Sequence, residues 1–191
     1  MPVTTETTEI VGMRDRLLDA AEQVVARDGV GNLTLETVAR QTGVSKGGLL
    51  YHFPSKSALI TAVVERIASR CETKQETAVD TDPNAPGAFT RAYLSARAQP
   101  LEAHEQPIRT ALLAAVGTDP QYLDPMRRRF QKWQARIEAD GIDPATATIV
   151  RLAIDGLCLG TLLGMPVPTG ELRQKVLDRL TAMTSANPKD S

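Results

Sequence analysis

The chain has 191 residues, with 22 Lys+Arg against 23 Asp+Glu and a net charge of -1. That length holds one long domain or two short ones, and the near-neutral balance excludes a histone-like or polybasic-tail binder while leaving room for a local basic patch. At 42% hydrophobic and 24% charged residues there is material for a globular core. The two cysteines, Cys71 and Cys158, are far apart and lack CxxC spacing, so they fit neither a disulfide framework nor a zinc site and point to a reducing compartment. The first twelve residues carry no basic-then-apolar pattern of a signal peptide. The longest apolar stretch, Leu152 to Met165, is short and broken by Asp155, which predicts a soluble, cytoplasmic protein with no membrane span.

In chain order the pattern is helical nearly everywhere, and no run alternates with period two. Residues 1–12 are polar and read as a frayed arm. From Met13 to Asp28, Leu17, Leu18, Ala21, Val24 and Val25 share one helical face, and Gly29 ends the helix. Thr34 is the cap of a short second helix that stops at Gly43. A third short helix follows Ser45 and ends before Pro54; Ser55 caps a longer fourth one. Polarity rises over Glu72–Pro86, the strongest domain boundary in the chain, the alternative being that its first part prolongs the fourth helix. Further helices are predicted over Gly87–Ala98, Pro107–Val116, Pro125–Asp140, Pro144–Gly164 and Gly170–Thr184. Three of these open on proline, where a missing N–H is harmless. The fold class expected is all-α, with about nine helices in a small N-terminal unit and a larger C-terminal one.

The second and third helices, joined through Thr42-Gly43-Val44, form a helix-turn-helix pattern whose crossing Val38, Ala39, Val44 and Leu49 would bury. One face of the third helix, with Ser45, Lys46, Gly47, Leu50, Tyr51 and His52, then has nothing to pack on. Small, hydroxyl and basic groups there suit close approach to a major groove. From Leu33 to Lys56 the bases are Arg40, Lys46 and Lys56 and the acid is Glu36, a local +2. Periodicity alone is equally consistent with three core helices bearing solvated charges.

The stretch LTLETVARQTGVSKGGLLYHFPSKSALITAVVE closely resembles the DNA-binding region of the tetracycline-repressor (TetR) family of bacterial transcription factors, over roughly Met13 to Ile67. The most specific part is GVSKGGLLYHFPSK. The resemblance implies a homodimer on a palindromic operator, with the third helix in the major groove. It implies a DNA-binding domain over 13–70 and a ligand-binding and dimerisation domain over 71–191. By position, Thr34 would bond a phosphate, and Ser45, Lys46 and Gly47 would meet phosphate or base edges. Tyr51 and His52 would touch the sugar-phosphate backbone, and Lys56 a phosphate. Two positions depart from the family: Leu50 replaces a common tyrosine, and Gly48 removes another common side chain. His52 lacks a nucleophile to activate, so it does not read as a catalytic base.

In the C-terminal part, five of seven non-histidine aromatic residues fall between positions 89 and 133. Phe89, Tyr93, Tyr122, Phe130 and Trp133, with Leu113 and Met126, are therefore the candidate walls of a small-molecule cavity, the rival being plain core packing. Leu112, Val116 and Ile137 are further candidates. Gly156, Gly160 and Gly164 recur every fourth residue. Each weakens a helix interior by about 1 kcal/mol relative to alanine, which close approach of another helix would offset. The resemblance implies that this helix and the last build the dimer interface, with Leu152, Leu163, Val176 and Leu180 flanking the glycines; the rival is that a glycine opens space for ligand. Arg127, Arg128 and Arg129 point in different directions on a helix and read as a solvated face. No metal or cofactor is expected. A repressor released by an unidentified small-molecule effector is the leading function, against a small all-α enzyme or a helical adaptor. The absence of HExxH and of a phosphate-cradling glycine loop weighs against the enzyme.

Overall fold

The structure, a computed structural model describing residues 4–78 and 84–185, is helical, and no strand occurs among the described residues. Its nine described α-helices are α1 (Thr4–Asp28), α2 (Leu35–Thr42), α3 (Lys46–His52), α4 (Lys56–Thr77), α5 (Ala88–Ala98), α6 (Glu105–Thr118), α7 (Asp124–Glu138), α8 (Pro144–Leu162) and α9 (Gly170–Ser185). Local chemistry sets several boundaries. Thr34 Oγ1 accepts from the Thr37 N–H at 3.0 Å and starts α2; Ser45 Oγ accepts from the Gly48 N–H at 3.1 Å and starts α3. Gly43, at φ 70°, closes α2 in the left-handed region that a side chain would strain.

The chain packs as two units. The first takes the chain up to Ile67 together with Glu102–Met126; the second takes Ala68–Leu101 and the chain from Arg127 onward. In the first, the apolar face anticipated on α1 (Leu17, Leu18, Ala21, Val24, Val25) is buried against Leu33, Val38, Leu49, Phe53, Leu59 and Val63. Ile108 and Leu112 of α6 close that core, and Tyr122 packs on its edge. Arg66 of α4 ties back to α1 through Asp19 at 2.8 Å and the buried Glu22 at 2.7 Å. In the second unit α8 packs on α5 and α9 around Tyr93, Leu94, Trp133, Ile137, Val150 and Ile154. Asp140 caps α5 from a distance: its carboxylate accepts from the N–H groups of Phe89 and Thr90 and from the Thr90 hydroxyl.

Several expectations are corrected. Residues 4–12 belong to α1 rather than to an arm, because nothing in that Thr/Glu-rich stretch stops a helix; residues 1–3 lie outside the described residues. The first part of the Glu72–Pro86 stretch prolongs the fourth helix, α4 continuing to Thr77, and 79–83 of that stretch lie outside the described residues. α6 starts two residues before Pro107, still within the first turn, where proline does no harm. Gly164 is not helical: α8 ends at Leu162, and Gly164 follows its cap at φ 66°. Packing into units is a separate matter from the domain bounds, and it groups the α6 segment with the first unit. Finally, α8 is long and apolar enough, by length and composition, to cross a membrane. The shorter stretch weighed in the sequence omitted its first two turns. Its Arg151 and Asp155 are, however, ion-paired inside the second unit.

Candidate nucleic-acid interface and inner polar cluster

α3 buries one side and presents the other. Leu49 and, just beyond the helix, Phe53 lie in the first unit's core, while Ser45, Lys46, Gly47, Leu50 and Tyr51 face solvent. Tyr51 is 75% exposed, an unusual position for a large ring with no partner beyond the edge of His52, 5.2 Å away. His52 itself is half-buried. An added Cβ at Gly48 would sit 3.0 Å from Val44 Cγ1 and 3.3 Å from Ser45 Oγ, so the missing side chain lets the turn pack tightly. At Gly47 nothing lies within 4 Å, which leaves the backbone open to a close-approaching partner.

The polar groups around this face are partly engaged. Lys46 Nζ stands 3.2 Å from the Glu36 carboxylate, with both side chains exposed. Glu36's own backbone N–H, and then the Lys46 ammonium, hold its carboxyl below the usual carboxylate range. Lys56 Nζ donates to the Gly31 carbonyl at 3.0 Å, leaving two of its three protons for other acceptors. Thr34 Oγ1 spends a lone pair on its cap and lies 2.8 Å from the Thr37 hydroxyl oxygen, a pair in which either hydroxyl can donate. Between Thr37 and Lys56 the chain has no acid. Such a surface can position phosphates by charge and meet base edges with short side chains.

The candidate ligand residues divide between the two units. Leu113, Tyr122 and Met126 belong to the first; Phe89, Tyr93, Phe130 and Trp133 belong to the second. In the second unit, Tyr93, Phe130 and Trp133 come together, with Trp133 edge-on to the other two rings at 6.0 and 5.2 Å. Phe89 stands apart under the Arg136 guanidinium, at 3.8 Å. The three grouped rings enclose Arg97, whose guanidinium lies 3.9 Å from the Tyr93 ring centre, 5.1 Å from Trp133 and 5.6 Å from Phe130. Arg97 pairs with Asp155 at 2.7 Å, and the Tyr93 hydroxyl donates to the same carboxylate at 2.8 Å.

Burial pushes the Tyr93 phenol far above its ordinary value, against the pull of Arg97, so it stays a proton donor to Asp155. For Arg97, burial works against the charged form. The Tyr93 oxygen beside it and the Asp155 carboxylate outweigh that and hold the guanidinium above its ordinary value.

Sequence reasoning missed Arg97, Arg151 and Asp155. Their one visible signal was Asp155 interrupting an apolar run. It also treated the three consecutive arginines alike: Arg127 and Arg128 are exposed, but Arg129 pairs with Glu72 at 3.1 Å.

The glycine stripe does not act as a unit. Gly156 has nothing within 4 Å of its Cβ position and lies on the exposed face of α8. Gly160 instead is closed over by Val167 of the same chain, whose Cγ1 would be 2.5 Å from an added Cβ. Leu180 is buried within the second unit and Val176 half-buried, whereas Leu152 and Leu163 are more than half exposed, alongside exposed Ile149, Leu159 and Leu172. Among the described residues no group of three or more potential metal ligands occurs.

Residues 17–63 match the family described as bacterial regulatory proteins, tetR family, and residues 87–185 match the one described as tetracyclin repressor-like, C-terminal domain. An uncharacterised HTH-type transcriptional regulator from the dhlA 5′ region of Xanthobacter autotrophicus is 31% identical over 145 residues, 73% of this chain and 70% of that protein. A shorter match of 51 residues, 27% of this chain, is 39% identical to the Pseudomonas putida HTH-type transcriptional regulator SrpR and spans only 24% of that protein. The transcriptional regulator SCO7518 of Streptomyces coelicolor A3(2) superposes with a TM-score of 0.71 at 20% identity, over 91% of this chain and 98% of that one. The multidrug binding protein EbrR, solved with imidazole, gives 0.62 at 21% identity, over 93% and 98%. These structural likenesses extend the shared fold to nearly the full chain.

Proposed function

The chain belongs to the TetR family of transcriptional regulators and carries its DNA-binding helix-turn-helix, and we propose that it is a homodimeric repressor released from a palindromic operator by a small molecule. The observation that carries this reading is the outward face of α3, a helix whose buried side fixes it in the first unit while Ser45, Lys46, Gly47, Leu50 and Tyr51 face solvent. Thr34, His52 and Lys56 flank that face as phosphate contacts. Residues 13–70 act as the DNA-binding domain and 71–191 receive ligand and partner; the work is cytoplasmic, in keeping with two cysteines that are not joined in a disulfide.

One recognition helix reads too few base pairs to hold a specific site. Two must be held about 34–36 Å apart, one turn of duplex. The exposed apolar face of α8 with Leu172 of α9 supports a two-fold seam in which Leu152, Gly156 and Leu163 take part. Effector binding in the second unit then favours the DNA-incompetent arrangement, as it must if ligand is to release DNA. EbrR, described as multidrug binding, supports a receptive second unit.

The test is selection of genomic fragments on the immobilised protein, followed by affinity measurement on the enriched site. A palindromic site bound by the wild type and lost in Tyr51→Ala at unchanged helicity supports the reading. Enrichment of no site, or equal binding by Tyr51→Ala, refutes it.

A further inference from the structure

We propose that the second unit binds a carboxylate-bearing small molecule with a flat apolar body, the carboxylate received by Arg151 and Arg97 and the body lying against Phe130 and Trp133. This rests on the reading that the second unit receives an effector, and names its chemical class.

The buried charges of the second unit do not balance. The Arg97 and Arg151 side chains are only 12% and 16% exposed, yet they share a single carboxylate, Asp155. The nearby Arg129–Glu72 pair balances itself. Arg97 and the Tyr93 hydroxyl already take the good positions on Asp155, at 2.7 and 2.8 Å, so Arg151 is left with a long contact of 3.8 Å. A buried guanidinium so loosely matched is unfavourable unless another anion completes it.

An unused donor points the same way. Arg151 Nε is buried without a hydrogen-bond acceptor. It is an N–H donor, so the partner it lacks is an oxygen acceptor. A carboxylate is the acceptor group whose planar pair of oxygens matches a guanidinium edge.

The rings supply the rest. Phe130 lies 5.9 Å from the Arg151 guanidinium and 5.6 Å from that of Arg97, and Trp133 packs edge-on beside it. A cation would find these rings already facing two guanidiniums, whereas an aromatic anion meets apolar ring and positive charge together.

The experiment compares 3-phenylpropionate, its neutral amide and 3-phenylpropylamine, which share one body and differ in charge. Binding is read by calorimetry and by emission of Trp133, the chain's single tryptophan. The carboxylate is expected to bind about tenfold or more tighter than the amide, the scale of a charge-assisted hydrogen bond, with no binding of the amine. Arg151→Gln should erase that preference, and Asp155→Asn, which releases both guanidiniums, should tighten the carboxylate. The wild-type series decides by itself if either variant fails to fold. Amide or amine binding as tight as the carboxylate, or no carboxylate binding at millimolar concentration, overturns the proposal. Operator release separates this from the broader reading. Carboxylate binding without release removes the effector role and leaves the site. Release by neutral or cationic compounds alone keeps the effector role and removes the carboxylate site.

Discussion

Alanine at Gly160 should destabilise the second unit even though alanine is the better helix former. The helical gain is about 1 kcal/mol. Against it, the new Cβ would stand 2.5 Å from Val167 Cγ1, about an ångström inside ordinary contact. Val167 cannot swing aside cheaply: it is β-branched, with a stiff χ1, and it sits between Pro166 and Pro168, whose φ angles are fixed. Overpacking of this kind costs roughly 1–3 kcal/mol, so the net loss should be roughly 0–2 kcal/mol. Urea unfolding of Gly160→Ala, Val167→Ala and the double variant isolates the clash. Removing Cγ1 should rescue Gly160→Ala with a coupling energy of about 1–3 kcal/mol. Gly156→Ala, whose Cβ position is open within the chain, is the matched control for helix propensity. A cycle additive to within about 0.5 kcal/mol refutes the reasoning and returns Gly160 to the dimer seam.

Lys56→Ala should weaken all DNA sequences alike and flatten the salt slope of log K by about one unit, read by anisotropy titrations at several salt concentrations. Arg66→Met leaves the buried Glu22 carboxylate without its 2.7 Å partner; chemical unfolding should show a loss of about 3–5 kcal/mol, the usual result of breaking a buried pair. The Thr146 hydroxyl and N–H hold the Asp143 carboxyl below its ordinary value. Its contribution to α8 is therefore full above the unfolded value of about 3.9 and lost as pH falls through the lower native one. Asp143→Asn should flatten the acid limb of a thermal-stability profile, and an unchanged limb would count against the cap.

What could be read from the sequence was whatever local chemistry decides. The cap at Thr34 and the stop at Gly43 each act within four residues, so residue type and spacing suffice. The buried face of α1 was legible for the same reason: its period is that of the helix. The start of α1 was not, because a polar Thr/Glu stretch carries no apolar period and no breaker, and continuation of the helix leaves no mark. Gly160 misled because three glycines at equal spacing look alike, although one faces open space, one a valine of the same chain and one a left-handed turn. The inner cluster was invisible for a different reason. Arg97 and Asp155 are 58 positions apart, and Arg129 meets Glu72 across 57. No local pattern tells a charge that will be buried from one that will be solvated.

Trp133 has a consequence for how the two units can be watched coming apart. It is the only tryptophan, it is buried among rings in the second unit, and the first unit has none. Loss of the helix-turn-helix fold is therefore dark to tryptophan emission, while far-ultraviolet circular dichroism sees helices in both units. Superimposable denaturation curves from the two signals mean one cooperative block. A dichroism change that precedes the emission change means that the DNA reader melts first, around a second unit still intact. The uncut, unlabelled chain thus carries its own means of assigning stability to each part.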